Sequence, residues 1–264
     1  MKKFLITLLT IFSITGFADD HKMGWKSNPV HSKGLMQFVH TGLKASTIKP
    51  VTDLTAQLPP VYDQGQEGSC TANAGLGCFE HAYYLVHKSF LGGSRQGLYV
   101  CELIHDGSFP QDAGSSTTSI LWVLQNQGVG LEKTFPYVEH PVNLPKNYLA
   151  DAGKHKLLQA YDVDNTDGQS IRIALSNGYC VVFGGYVYND IMTLKAPFIL
   201  PSPKGRPVGG HEMLIVGHDD SKKLYRVRNS WGTGWADKGY FWIKYADMHN
   251  SRIYEDFAAM QVTN

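Results

Sequence analysis

Residues 62–74 read Tyr-Asp-Gln-Gly-Gln-Glu-Gly-Ser-Cys-Thr-Ala-Asn-Ala, and this stretch delivers a cysteine to the start of a helix. The sequence predicts the helix over residues 69–87, because apolar side chains recur there at spacings of three and four. Cys70 therefore falls in the first turn, where the partial positive charge of the helix N-terminus favours the nucleophilic thiolate. Position alone leaves a second interpretation open, a buried and inert thiol.

Two motifs further along the chain favour the interpretation of Cys70 as a nucleophile. Gly-Gly-His-Glu-Met-Leu at residues 209–214 presents His211 at the start of an apolar strand, and Arg-Asn-Ser-Trp-Gly at residues 228–232 presents Asn229. This chain order, with a long gap between cysteine and histidine, is typical of a nucleophile, its base and the group that orients the base. Taken alone, His211 has the competing interpretation of a hydrogen-bonded core histidine.

The block Asn-Ser-Trp-Gly-Thr-Gly-Trp at residues 229–235, followed by Gly-Tyr at 239–240, closely resembles the asparagine block of the papain and cathepsin family. Residues 59–74 are similar to a bacterial, secreted branch of that family, and the likeness spans about residues 53–262. The resemblance implies Cys70 as nucleophile, His211 as base and Asn229 as the orienting group. It also implies that Gln64 donates to the oxyanion hole, and that the thiolate and imidazolium rest as an ion pair.

The same resemblance indicates where an extended peptide substrate binds. Asp-Ala-Gly at residues 112–114 resembles the strip whose backbone pairs with substrate, which assigns Ala113 and Gly114 to substrate binding. Trp231 is assigned to the same cleft, where it would cover the hydrogen bond between Asn229 and His211. No cofactor is implied.

The chain departs from the family pattern around the nucleophile. Most members have Cys-Gly-Ser-Cys-Trp there, whereas this chain has Glu67 in place of the first cysteine and Thr71 in place of the tryptophan. The usual disulfide is therefore missing. Gly210 stands where many relatives carry an acidic or amide residue, so we expect a different pH range of activity. In place of the family's long inhibitory propeptide, we expect only the short segment between residues 19 and 50.

The four cysteines are few and scattered, which excludes a disulfide-stapled small protein. If Cys70 is catalytic, at most one disulfide can form, and we expect it between Cys78 and Cys101. No Cys-x-x-Cys pair exists, so the sequence predicts no metal site.

The coarse secondary structure predicts an α+β chain with a papain-like two-lobe fold. Predicted helices cover residues 69–87, 116–127 and 169–177, and predicted strands cover 179–188, 213–217, 224–229, 240–245 and 257–262. Helices first and strands second indicate a helical lobe at residues 53–157 and an antiparallel, β-barrel-like lobe at residues 158–264. We expect the active site in the cleft between them.

The N-terminus predicts export. Residues 1–18 combine two lysines, an apolar run and small residues before a cut after Ala18, which is typical of a signal peptide. The run is shorter than the roughly 20 residues that span a bilayer, so we expect a secreted or periplasmic protein without a membrane anchor. Residues 19–52 are a short prosegment, with the apolar patch at 35–39 in or near the cleft, or else a flexible extension.

The whole pattern predicts a zymogen of a cysteine peptidase that hydrolyses polypeptides through a thioester. The formal net charge of +1 offers no basic stripe for nucleic acid, and we expect a monomer. Two alternatives stay open. The same residues would serve an amidase or transpeptidase acting on cell-wall or isopeptide bonds, and a non-catalytic peptidase homologue would share the fold.

Overall fold

The computed structural model describes residues 21–28, 35–38 and 48–262. The predicted signal peptide at residues 1–18 lies outside them. The helices are α1 (Cys70–His87), α2 (Arg95–His105), α3 (Thr117–Asn126), α4 (Tyr148–Ala152), α5 (Ser170–Ser176) and α6 (Tyr245–Met248). The strands are β1 (Met36–Gln37), β2 (Val51–Asp53), β3 (Leu157–Asp162), β4 (Val181–Val187), β5 (Gly209–Asp219), β6 (Leu224–Arg228), β7 (Tyr240–Lys244) and β8 (Tyr254–Val262).

The helical part packs α1, α2 and α3 together. The structure confirms the helix that begins at Cys70, and α3 begins after Ser116, whose hydroxyl accepts from the backbone N–H of Ser119 as an N-cap. Close packing relies on Gly75 of α1, because a Cβ there would lie 2.4 Å from the side chain of Ile120. Helix α2 was not predicted, since its first turn, Arg-Gln-Gly, interrupts the apolar spacing.

The β-rich part is one eight-stranded sheet with the path β1-β3-β8-β4-β5-β6-β7, and β2 pairs with β5. All pairs are antiparallel except β1 with β3. The α+β class is confirmed, but the sheet is open, so the barrel-like description was too strong. The sequence analysis also missed β3, whose exposed side chains weaken its apolar pattern.

The contact between α1 and the sheet positions the site. Helix α1 packs against β5 and β8, and its residues from Cys70 to Ala82 are buried. A Cβ on Gly77 would already touch the side chain of Leu214 on β5, at 3.4 Å. The N-terminus of α1 is thereby fixed next to the start of β5, where His211 lies.

The four cysteines are all buried and free, so the expected disulfide between Cys78 and Cys101 was wrong. The thiol of Cys78 instead donates a 3.7 Å hydrogen bond to the carbonyl of Cys180, just before β4. It therefore faces the sheet and not α2. Within the described residues, no helix combines the length and the apolar character that crossing a bilayer requires.

Candidate active site

His211 and Asn229 meet because their strands are neighbours. His211 is the third residue of β5, and Asn229 directly follows β6, with Leu214 paired to Arg228 in the register. His211 Nε2 lies 2.8 Å from Asn229 Oδ1, and the Trp231 ring lies over the imidazole with 5.0 Å between centroids. Nε2 is therefore engaged and shielded. His211 Nδ1, buried without a hydrogen-bond partner among the described residues, is the nitrogen left for chemistry.

Cys70 is buried at the first position of α1, next to the backbone of Glu212 and of Gly24. Burial raises the pKa of the Cys70 thiol to about 12. Burial likewise lowers the pKa of His211 to about 4. At neutral pH this closed conformation favours a neutral thiol and a neutral imidazole over the expected ion pair, because the residues around both groups exclude water.

Gln64 is oriented by the asparagine block. Its backbone N–H donates to the carbonyl of Ser230 at 2.9 Å, and its Oε1 accepts from the Ser230 hydroxyl at 2.6 Å. The side-chain amide is thereby turned so that Nε2 donates to two carbonyls, that of Glu67 at 2.9 Å and that of Lys22 at 3.0 Å. The proposed oxyanion donor already holds a peptide carbonyl of the same chain.

Residues 21–28 carry that carbonyl and lie between the two lobes. On the helical side, the N–H of Ser115 donates to the carbonyl of Gly24, and the N–H of Lys26 donates to the carbonyl of Ser115, both at 2.8 Å. On the β side, the N–H of Trp25 donates to the carbonyl of Gly210 at 3.0 Å. An extended stretch bonded to both walls occupies the cleft.

The predicted substrate strip is close to this stretch, at Gly114 and the residue that follows it. Gly114 has φ +73°, and a Cβ there would lie 2.0 Å from the Gly24 carbonyl oxygen, so the close approach requires glycine. The backbone pairing itself is made by Ser115, which the sequence analysis missed. The N–H of Ala113 donates to Gln111. The position of Ser115, immediately before the helix predicted over residues 116–127, was the signal available.

Trp231 has a second neighbour besides His211. The ring of His21 stacks on it, with 5.0 Å between centroids and 6° between planes. Trp231 therefore both covers the hydrogen bond between His211 and Asn229 and contacts residues 21–28.

The two residues that depart from the family pattern around Cys70 each have a hydrogen-bond partner. Glu67 accepts from the side-chain amide of Gln96 at 3.2 Å, and Thr71 donates to the buried carboxyl of Glu102. A second buried carboxyl, Glu212, accepts from the Thr117 hydroxyl at 2.7 Å. Burial raises the pKa of both Glu102 and Glu212 well above the usual range. The sequence analysis did not assign either glutamate.

Among the residues that the structure describes, no group of three or more histidine, cysteine, aspartate or glutamate side chains is placed to hold a metal ion.

Solved structures share this architecture. Xylellain, a cysteine protease from Xylella fastidiosa, matches with a TM-score of 0.83 and 28% identity over 92% of this chain and 96% of that chain. Its bacterial source agrees with the similarity to a bacterial branch. Digestive procathepsin L 3 of Tenebrio molitor larval midgut has the same fold, with a TM-score of 0.71 and 19% identity, covering 90% of this chain and 76% of that chain.

Sequence comparison gives the family. An uncharacterized peptidase C1-like protein of Acanthamoeba polyphaga mimivirus is 28% identical over 75% of this chain and 68% of that protein. Cathepsin K of Mus musculus is 28% identical over 69% of this chain, which spans about half, 54%, of that relative. The family model described as papain family cysteine protease matches residues 50–260. The chain therefore belongs to the papain family of cysteine proteases and is a cysteine-type peptidase.

Proposed function

We propose that the chain is an exported endopeptidase that hydrolyses polypeptides through a thioester, and that residues 19–52 are a short prosegment that inhibits it. The observation that carries the proposal is the 3.0 Å hydrogen bond from Gln64 Nε2 to the backbone carbonyl of Lys22. A peptide carbonyl of the chain occupies the donor that would stabilise a substrate's oxyanion.

The residues supply each step of acyl transfer. His211 Nδ1 accepts the thiol proton, and Cys70 Sγ bonds to the carbonyl carbon of the scissile peptide. Gln64 Nε2 and the N–H of Cys70 donate to the oxyanion. The C–N bond then breaks as His211 returns the proton to the leaving amine. Water, deprotonated by His211, hydrolyses the thioester and frees Cys70, while Asn229 holds the imidazole ring in place.

Inhibition follows from the position of residues 21–28. They bond to Ser115 on one wall and to Gly210 on the other, and they pair with Ser115 in the parallel direction. A substrate needs the same space, so the cleft opens only when this stretch leaves or is cut away. The raised pKa of Cys70 supports the same conclusion, since burial disfavours the thiolate.

The first test compares two cysteine variants of one helix, Cys70→Ala and Cys78→Ala. We expect the first to abolish hydrolysis of casein and of fluorogenic peptides, and the second to retain it, because Cys78 faces the sheet. An epoxide inhibitor should add its mass once, at Cys70. Continued peptide hydrolysis by Cys70→Ala would refute the assignment. Hydrolysis confined to cell-wall fragments would instead favour the amidase or transpeptidase alternative.

The prosegment and export have separate tests. Deletion of residues 19–50 should raise the initial rate of peptide hydrolysis relative to the chain that retains them, and no gain would favour a passive extension. N-terminal sequencing of the protein recovered from the periplasm or medium of a bacterial host should give a chain that begins at Asp19. A chain retained in the cytoplasm with its N-terminal Met would contradict export.

A further inference from the structure

The Trp25 side chain fills a pocket that two glycines open. Gly184 of β4 and Gly210 of β5 lie under the indole: a Cβ on Gly184 would fall 2.0 Å from the ring, and one on Gly210 would fall 2.8 Å from it. The ring of Tyr186 closes one side edge-on, at 5.7 Å between centroids. Trp25 is 4% exposed, so the pocket fits a large planar side chain and encloses it.

At the floor of the pocket, each hydrogen-bonding group has a fixed role as donor or acceptor. The indole Nε1–H of Trp25 donates to Thr117 Oγ1 at 3.2 Å. The Thr117 hydroxyl in turn donates to Glu212 Oε2 at 2.7 Å. The indole nitrogen can only donate, so the Thr117 oxygen accepts from it, and the single hydroxyl proton points to Glu212 Oε2, which can accept even when a neutral carboxyl carries its proton on Oε1.

Glu212 is placed to accept the Thr117 proton, which leaves the Thr117 oxygen as an acceptor toward the pocket. It is fully buried, it stands opposite Gly184 in the β4–β5 register, and its Oε1 has no hydrogen-bond partner among the described residues. It neighbours His211 along β5 with its side chain on the other face of the strand, and the pocket adjoins the catalytic residues through Gly24, which precedes Trp25 and lies next to Cys70. Indole satisfies the floor because its ring nitrogen is a donor only.

We propose that Thr117 and Glu212 are specificity-determining residues that make this pocket select a tryptophan side chain of the substrate by its indole N–H. The proposal rests on the proposed function, because it assigns to substrate the pocket that Trp25 fills in the closed chain. A hydrocarbon ring of equal size fills the space but leaves the Thr117 oxygen unpaired, which costs binding in a site that excludes water. A side chain smaller than indole leaves part of the pocket empty.

The first experiment measures the contact in the full chain, without any substrate. The rate at which iodoacetamide alkylates Cys70, followed by peptide mass mapping, reports how often residues 21–28 leave the cleft. We expect Trp25→Phe and Thr117→Val each to raise that rate about fivefold to tenfold, and the double variant to raise it no further. Thr117→Ser, which keeps the hydroxyl, should restore the slow rate. If the rate increase of the double variant were instead the product of the two single increases, the contact between Trp25 and Thr117 would be refuted.

The second experiment measures selectivity in full chains carrying Trp25→Ala, which empties the pocket. Two quenched peptides differ only in tryptophan or benzothienylalanine, an isostere with sulfur in place of the N–H. We expect kcat/KM about tenfold higher for the tryptophan peptide, and equal values once Thr117→Val is added. Gly184→Ala, which narrows the pocket, should reduce cleavage of both peptides and favour a third peptide with leucine at the same position. Gly234→Ala is the control: its Cβ meets open space, so it should change neither rate nor preference.

The outcomes separate the two proposals. Equal rates for the tryptophan and benzothienylalanine peptides would overturn the specificity assignment, and so would faster cleavage of a peptide with arginine at the same position. Either result would leave the proposed peptide hydrolysis unaffected. A Trp25→Ala chain that is alkylated at Cys70 yet cleaves no peptide would count against the proposed function, and the alkylation experiment would still decide the contact between Trp25 and Thr117.

Discussion

Two stretches of the N-terminal extension bind to the body of the protein in different ways. Residues 21–28 run between the lobes, bonded through backbone groups to Ser115 and Gly210, and insert one large side chain. Residues 35–38 add the edge strand β1 to β3, and Phe38 is fully buried between the rings of Tyr161 and Tyr179. The first stretch lies in the cleft, where the proposed inhibition requires it, and the second fastens the extension to the sheet.

The difference shows which kind of segment binds at an uncovered part of the core and which kind binds in a cleft. An apolar patch such as residues 35–38 gains most free energy where water is excluded on all sides, at an uncovered part of the core. The cleft offers unpaired backbone donors and acceptors and one deep pocket, so it takes an extended stretch of mixed polarity. Of the patch predicted in or near the cleft, residues 35–38 lie against β3, and Leu35 borders a cavity of about 240 Å³ that Thr117 also lines, while Val39 lies outside the described residues.

The largest expected effect separates fastening from blocking. Phe38→Ala removes a fully buried ring and should lower the free energy of unfolding by about 3 to 5 kcal/mol, measured by urea denaturation, with little change in Cys70 alkylation under native conditions. Trp25→Ala should do the reverse, raising the alkylation rate with a smaller change in stability, because residues 21–28 can leave without unfolding the lobes. Similar effects of both variants on both measurements would erase the distinction.

The second prediction tests whether residues 21–28 lie where a substrate lies. In a Trp25→Ala background, Gln64→Ala should lower kcat by roughly 10² to 10³, because the oxyanion loses a donor worth about 2.7 to 4 kcal/mol. Gln66→Ala is the matched control, since Gln66 is exposed in the same loop. A loss confined to KM would mean that Gln64 binds peptide in the ground state and not the transition state.

The residues that the sequence placed well are those with local signals. The helix that begins at Cys70 follows from apolar spacing, and the Asn229 block carries its own motif. The pairing of His211 with Asn229 required only that two predicted strands be neighbours. These signals are strong because each motif is written in consecutive residues.

The residues that the sequence analysis did not assign depend on contacts between distant parts of the chain. Ser115 differs from Ala113 only by lying beside Gly24, and the partner of Glu212 is Thr117 on another element. Nothing in the periodicity around residue 25 distinguishes a cleft stretch from a solvated one. Trp25 owes its burial to Gly184 and to Gly210, on two different strands.

The third prediction concerns pH. Burial raises the pKa of Cys70 to about 12, so alkylation of the closed chain should keep rising with pH throughout the alkaline range. Releasing residues 21–28 by Trp25→Ala admits water to the thiol, and the profile should move to lower pH. The measurement is the iodoacetamide rate at Cys70 against pH for the two chains. Superimposable profiles would show that residues 21–28 do not cause the burial.

The smallest effect is expected at the exposed end of the cleft stretch. Lys22 Nζ lies 2.6 Å from Asp112 Oδ2, but the lysine is about half exposed, so the ion pair should contribute no more than about 1 kcal/mol. Lys22→Met should therefore raise the Cys70 alkylation rate less than about fivefold, and added salt should reduce the difference from the parent chain. Asp112→Asn should have a larger effect, because Asp112 also accepts from the N–H of Gly68 and the hydroxyl of Tyr99. If Lys22→Met released the stretch as fully as Trp25→Ala does, the charge and not the pocket would hold residues 21–28 in place.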